Sequence, residues 1–283
     1  METNVLVAIK NLLEHPITTL TAHYSGRNRI NGIGNALEIY IKDLFANTLL
    51  YNDENSKLPV YDQVFSYTGN QNNPPDIILK NGDAIEVKKI QGNATALALN
   101  SSYPKNKLYA NSPLITATCR TCEKWDIKDI IYIIGNTTDT DLTELWFVYG
   151  NCYAAVQETY EKIKNTIISG LNSIPDIELA QTNELGKIKK VDPLGITDLR
   201  IRGMWSIAHP NKVFNYIPKQ NISSNFKFYC LMSAEKFDQF PEKDRNNLFP
   251  YIERKKFFIN DILIKNPNNP AKLIKAKFLE FYL

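Results

Sequence analysis

The chain has 283 residues, 43% of them hydrophobic and 22% charged, with a formal net charge of +3. That is ordinary globular composition for one large domain or two small ones, and it excludes wholesale disorder, collagen and coiled coil. So weak a basicity neither demands nor excludes a nucleic acid, and a local patch has to carry that case.

In chain order, the N-terminal segment reads as an amphipathic helix with Val5, Ile9, Leu12 and Leu13 on one face. It lacks the basic start, long apolar block and cleavage site of a signal peptide. No apolar run approaches the roughly 20 residues of a membrane span, and four cysteines make no disulfide scaffold. A cytoplasmic protein with no membrane partner is expected. A second helix, over residues 34–46, has a broad apolar face of Ala36, Leu37, Ile39, Tyr40, Leu44 and Phe45. Residues 52–57 read as a polar loop, 60–67 as a strand and 69–75 as a turn-rich stretch. Two short apolar segments, 77–79 and 84–87, flank Asn81-Gly82, the best hairpin signal in the chain. Strands over 129–135 and 144–149 form a second hairpin around a turn at 136–141. A helix from 153 to about 172 follows, with Ala154, Val156, Tyr160, Ile163 and Ile167 at helical spacing. After Pro175 the pattern loosens into loops, short strands and Pro breaks. No linker divides the chain. The expectation is one α/β domain, 1–283, with a central mixed β-sheet flanked by helices.

The first hairpin carries the chemistry. Pro75-Asp76 precedes Glu86-Val87-Lys88 by one strand and a turn. Two carboxylates hold a hard divalent cation through oxygen. Such a cation stabilises the negative charge of a phosphodiester transition state and acidifies a bound water. A neighbouring ammonium can orient that water, or help take its proton if its own pKa is depressed. Turn length decides whether these groups meet. A two-residue turn would pair Asp76 with Val87 and put it on the wrong face. A three-residue loop, Lys80-Asn81-Gly82, pairs Leu79 with Asp83 and Asp76 with Glu86, with Gly82 in the left-handed position. Asp76, Glu86 and Lys88 then project together, while Ile77, Leu79, Ile85 and Val87 fill the other face. The bland alternative is a solvated hairpin with a surface Glu/Lys pair.

Glu38, on the second helix, admits two readings: a third carboxylate for the metal site, or a helix-edge partner of Lys42 at i+4. Residues 181–230 hold eight Lys and Arg against three acids. Lys187, Lys189, Lys190, Arg200 and Arg202 make this a candidate phosphate-contact surface, or else a solvated basic face. Arg200 and Arg202 alternate on a short strand and share a face, which suits base reading; the alternative is phosphate contact or pairing with Asp198. Two further candidate DNA contacts are Arg27 with Arg29, and the run Asn100, Ser101, Ser102, Tyr103 and Lys105 just after the catalytic strand. The lone Cys119-x-x-Cys122 lacks a second ligand pair at zinc-site spacing, so a structural or incidental role is expected.

Residues 71–76 through Glu86-Val87-Lys88-Lys89 resemble the active-site motif of the PD-(D/E)XK nucleases. The runs 98–104, 145–150, 191–197 and 199–205 resemble the NgoPII family of type II restriction endonucleases, a likeness spanning about residues 25–215. The resemblance implies a cytoplasmic, Mg²⁺-dependent homodimer with a restriction-endonuclease-like core, cutting both strands of a short palindrome in double-stranded DNA, GGCC by family membership. It implies that Asp76 and Glu86 bind metal and that Lys88 acts on the attacking water; Glu38 fits the superfamily's helix carboxylate loosely. The catalytic core is expected over about residues 30–155, with DNA-recognition and dimerisation elements in 156–283. The tail beyond about Lys219 has no assigned role. Two competing functions remain: a structure-specific repair or junction nuclease of the same fold, and a DNA-binding protein without hydrolysis.

Overall fold

A computed structural model describes residues 2–24, 33–51, 53–69, 73–92, 95–182, 184–254 and 256–283. The candidate contacts Arg27 and Arg29 lie outside the described residues. Helices α1 (Val5–Glu14), α2 (Leu20–Tyr24), α3 (Ile33–Ala46) and α4 (Glu54–Val64) come first. Strands β1 (Phe65–Thr68), β2 (Ile77–Leu79), β3 (Ala84–Gln91), β4 (Ala96–Asn100) and β5 (Lys107–Tyr109) follow, then the short helix α5 (Ala117–Thr121). Strands β6 (Ile127–Thr137) and β7 (Leu142–Tyr149) lead into helices α6 (Gly150–Tyr153) and α7 (Gln157–Asn172). Next come β8 (Glu178–Leu179), β9 (Gly186–Lys189), β10 (Leu199–Ile201), β11 (Trp205–Ala208) and α8 (Pro210–Val213). The chain ends with β12 (Lys227–Ser233), α9 (Ala234–Gln239), α10 (Glu242–Asn246), α11 (Phe249–Arg254), β13 (Phe257–Asn266) and β14 (Asn269–Tyr282).

The central sheet runs β1-β2-β3-β6-β7-β12-β14-β13, with β5 also on β6. The β3/β6 and β7/β12 pairs are parallel and the rest antiparallel, so the sheet is mixed, as expected. Its middle is covered on both faces. Ile131 and Ile133 of β6 enter one core with α1 and α3, while Ile130, Tyr132 and Ile134 enter a second core on the opposite face. Double coverage explains why residues 130–134 read as an unbroken apolar run rather than an alternation. The first core holds the expected faces of α1 (Val5, Ile9, Leu12, Leu13) and α3 (Leu37, Tyr40, Leu44), all fully buried. Each fully buried Leu or Ile contributes about 1.5–3 kcal/mol.

Three expectations are corrected. The loop over 52–57 and the strand start at 60 are replaced by α4. Asp53 caps that helix, accepting from the Asn55 and Ser56 N–H groups, and the strand β1 begins only at Phe65. A long-range tie fixes α4: Lys57 Nζ lies 2.7 Å from Asp43 Oδ2 on α3, both side chains fully buried. Tyr24 and Tyr61 also donate to that carboxylate, so α2, α3 and α4 converge on one buried ion pair. The helix expected from 153 is broken between α6 and α7, and α7 buries no residue; Ile163 is 50% exposed. Its period was real, but α7 packs beside the small sheet β10-β9-β8, with Leu171 against Gly186, and not on the central sheet. The tail, expected as loops and short strands, supplies β12, β14 and β13 of the central sheet, β14 alone running 14 residues.

Candidate active site

The site begins with the β2–β3 turn. Ile77 pairs with Ile85 and Ile78 with Ala84, and the Leu79 N–H donates to the Asp83 carbonyl at 3.0 Å. This is the register of the three-residue loop. The left-handed residue, however, is Asn81 (φ 57°), not Gly82. Asn adopts that conformation at small cost, and the third position of such a turn accepts it. Gly82 is needed for room instead: a Cβ there would stand 3.0 Å from the Leu79 Cβ.

At Asp76 the chain steps off the ladder. The Asp76 N–H donates to the Ile85 carbonyl at 3.0 Å, and Asp76 Oδ2 accepts the Val87 N–H at 2.6 Å. Asp76 therefore bonds the residues on both sides of Glu86, and this brackets the two carboxylates together. Gly69 packs behind them, its N–H donating to the Asp76 carbonyl at 2.6 Å; a Cβ there would meet the Pro75 carbonyl at 2.5 Å. Sequence reading missed Gly69, because only the fold brings the end of β1 against Asp76.

The two carboxylates are buried and crowded. Burial, and then the neighbouring Glu86 charge, push the Asp76 carboxyl up to about 7, against opposing help from the Val87 N–H and Lys88. Glu86 is 7% exposed, and its Oε2 is buried without a hydrogen-bond partner. Lys88 Nζ lies 2.7 Å from Glu86 Oε1. Burial works against the Lys88 ammonium, yet Glu86 and Asp76 outweigh it and hold its pKa above the ordinary lysine value. Without a cation in the site, the two carboxylates thus favour the charged ammonium of Lys88. Two crowded carboxylates with an orphaned oxygen fit a divalent cation, and Mg²⁺ characteristically takes one or two carboxylates plus water and phosphate oxygens. Glu38 lies near enough to raise Asp76 slightly, but its Oε1 accepts from Lys42 Nζ at 2.7 Å. Among the described residues no group of three or more His, Cys, Asp or Glu is placed to hold a metal.

Asp76, Glu86 and Lys88 form one wall of a cleft. The same cleft is lined by Asn100, Ser101, Ser102, Tyr103 and Lys105, so the structure brings this candidate run to the carboxylates. Tyr103 itself turns inward: it is 4% exposed, stacks on Tyr160, and its hydroxyl donates to Glu161 at 3.1 Å. Glu184 also lines the cleft and holds both candidate arginines. Arg200 donates through Nε and Nη2 to its two oxygens at 3.0 Å each, and Arg202 through Nε at 2.6 Å. Their partner is thus Glu184 and not Asp198. Lys187 takes Asp198 at 3.1 Å and Lys190 takes Glu178 at 3.0 Å, with Lys189 between them at the end of β9. Among the described residues, four of the five candidate cations, Lys187, Lys190, Arg200 and Arg202, are thus ion-paired. Glu184 was legible only as an acid in a basic stretch; its position at the cleft follows from β9 pairing with β10.

Cys119 is buried and Cys122 half-buried, both free thiols. No helix of the described residues is long and apolar enough to cross a membrane.

A family model described as NgoPII restriction endonuclease matches residues 3–265. The chain is 46% identical over 281 residues to the type II restriction enzyme NgoPII of Neisseria gonorrhoeae, covering 99% of this chain and 100% of that protein. No solved structure matches the chain. With identity of this extent and a family match over nearly its whole length, the chain belongs to the NgoPII restriction endonuclease family.

Proposed function

We propose that this protein is a Mg²⁺-dependent type II restriction endonuclease that hydrolyses both strands of a short palindromic site in double-stranded DNA. The observation that carries the reading is the bracketed Asp76–Glu86 pair, with Lys88 beside it, in one cleft with polar and basic groups. Asp76 and Glu86 would hold the metal. The bound ion would supply charge stabilisation at phosphorus and acidify a coordinated water. Lys88, whose Nζ lies 2.7 Å from Glu86 Oε1, would orient the attacking water. Asn100, Ser101, Ser102 and Lys105 flank the reacting phosphate, and Lys187, Lys189, Lys190, Arg200 and Arg202 engage DNA beyond the cleft. Glu38, bound to Lys42, is the weaker ligand. Residues 156–283 are assigned recognition and dimerisation, although β12–β14 of that stretch also complete the central sheet. The described residues of each chain offer one such carboxylate pair, so cutting two strands of a palindrome calls for a two-fold homodimer. GGCC is the site to test first, and the cytoplasm the expected compartment.

Digestion of a supercoiled plasmid with Mg²⁺, followed by sequencing of the ends, tests this. The expected result is discrete fragments ending in one palindrome, passing to linear product without accumulating nicked circles, and intact DNA in EDTA. Heterogeneous ends set by DNA structure would favour a junction or repair nuclease. DNA bound equally well in EDTA and never cut would leave a binding protein.

A further inference from the structure

Lys105 is 6% exposed and lines the same cleft as Asp76 and Glu86. An ammonium taken out of water normally keeps an anion beside it. The other buried lysines obey this: Lys57 has Asp43 at 2.7 Å, and Lys128 pairs with Glu123. Among the described residues, no carboxylate lies within ion-pair distance of Lys105. Its ammonium donates to the Ser102 hydroxyl and, at 3.3 Å, to the Tyr103 carbonyl, and sits 5.2 Å from the Tyr103 ring centre. All three partners are neutral. Burial, with the Lys88 charge, brings its pKa down to about 8 despite Glu86.

The lysine is also fixed. Its backbone N–H donates to the Tyr132 hydroxyl on β6 at 2.7 Å. Gly150 packs so closely against the Lys105 and Asn106 carbonyls that a Cβ there would meet them at 2.4 and 2.7 Å. A rigid, buried ammonium without an anion, in the same cleft as the two carboxylates, describes a pre-formed place for a ligand's negative charge.

We infer that Lys105 is a second catalytic lysine, whose ammonium binds a non-bridging oxygen of the scissile phosphate and stabilises the charge that builds there as water attacks. The inference rests on the nuclease reading and deepens it, turning Lys105 from one of several groups flanking the reacting phosphate into the one that stabilises its developing charge. Donors aimed in advance at developing charge typically contribute about 10²–10³ in rate.

The test is a charge-deletion cycle on the specific duplex, with the scissile bond mapped by digestion. In EDTA, Lys105→Met should weaken binding about tenfold, the scale of a hydrogen bond to a charged group. A single neutral methylphosphonate at the scissile position should erase that difference between variant and wild type. The same replacement at other phosphates should leave it. With Mg²⁺, Lys105→Met should slow single-turnover cleavage at least ~100-fold. Lys105→Gln, taken through the same cycle, serves if the Met variant does not fold. A difference that survives the scissile methylphosphonate, or vanishes with one elsewhere, overturns the inference, as does cleavage at the wild-type rate. If Asp76→Ala is inactive while Lys105→Met cuts normally, only this inference falls. If Asp76→Ala cuts normally, the site itself is wrong.

Discussion

Asp76→Ala and Glu86→Ala are each expected to lower single-turnover cleavage by about 10³-fold or more in Mg²⁺ while leaving the protein folded. The cleft's third carboxylate, Glu184, is held by Arg200 and Arg202, which leaves Asp76 and Glu86 for the cation, and metal stabilisation of the transition state supplies several kcal/mol. Asp76→Asn separates the metal role from a structural one. Asn keeps an acceptor for the Val87 N–H but loses the charge. The folded-state pKa of Asp76, about 7, lies above the ordinary 3.8, so the metal-free folded protein binds more protons than the unfolded chain between those values. Stability therefore falls as pH rises through that window, and stays lower above it. Asp76→Asn should remove the loss. In EDTA at pH 8 it should unfold with a gain on the order of 1–3 kcal/mol over wild type, and near pH 4 with almost none. Added Mg²⁺ should stabilise wild type but not the variant. Thermal melts at two pH values, with and without Mg²⁺, show this directly. An Asp76→Asn variant that cuts DNA normally, or is destabilised at pH 8, would contradict the site.

Arg202→Lys is expected to lower the ratio of specific to non-specific DNA affinity by about tenfold or more, and Arg200→Lys by less. Glu184 takes both Nε and Nη2 of Arg200, but only Nε of Arg202. Arg202 thus keeps both terminal nitrogens for a bidentate contact with guanine O6 and N7, worth about 1–3 kcal/mol of discrimination. Lysine keeps the charge but lacks the planar fork. A phosphate contact would tolerate the exchange, with the salt dependence unchanged. Equilibrium binding to specific and scrambled duplexes at one fixed salt concentration decides between them. An unchanged ratio for both variants means this pair does not read bases.

The parts of the structure legible in the sequence are those set by local chemistry. The β2–β3 register followed from loop length and the need to keep four apolar residues on one face, and Asp76, Glu86 and Lys88 meet as that register requires. Which turn residue goes left-handed was misassigned, because Asn81 and Gly82 both permit it and nothing in the local sequence separates them. Helix α4 was illegible for a different reason. Val60, Tyr61 and Pro59 argue locally against a helix, while the Lys57–Asp43 pair that holds it spans 14 residues. In α7 the helical period was correct and the burial was not, since periodicity shows a face but not what covers it. The tail's strands became part of the central sheet through pairing with β7, more than 80 positions earlier in the chain. The unpaired charge of Lys105 and the grip of Glu184 on two arginines are also tertiary facts: each depends on which groups the fold brings close.

The most direct measurement of the central claim is where a catalytic cation sits. Crystals of the protein with its specific duplex, soaked in Mn²⁺ and measured at the manganese edge, locate the ion by anomalous scattering. The account predicts a peak within about 2–2.6 Å of carboxylate oxygens of both Asp76 and Glu86, with a scissile phosphate oxygen on the same ion and Lys88 close by. A fully occupied ion held by other residues, with Asp76 and Glu86 left without metal, would contradict it.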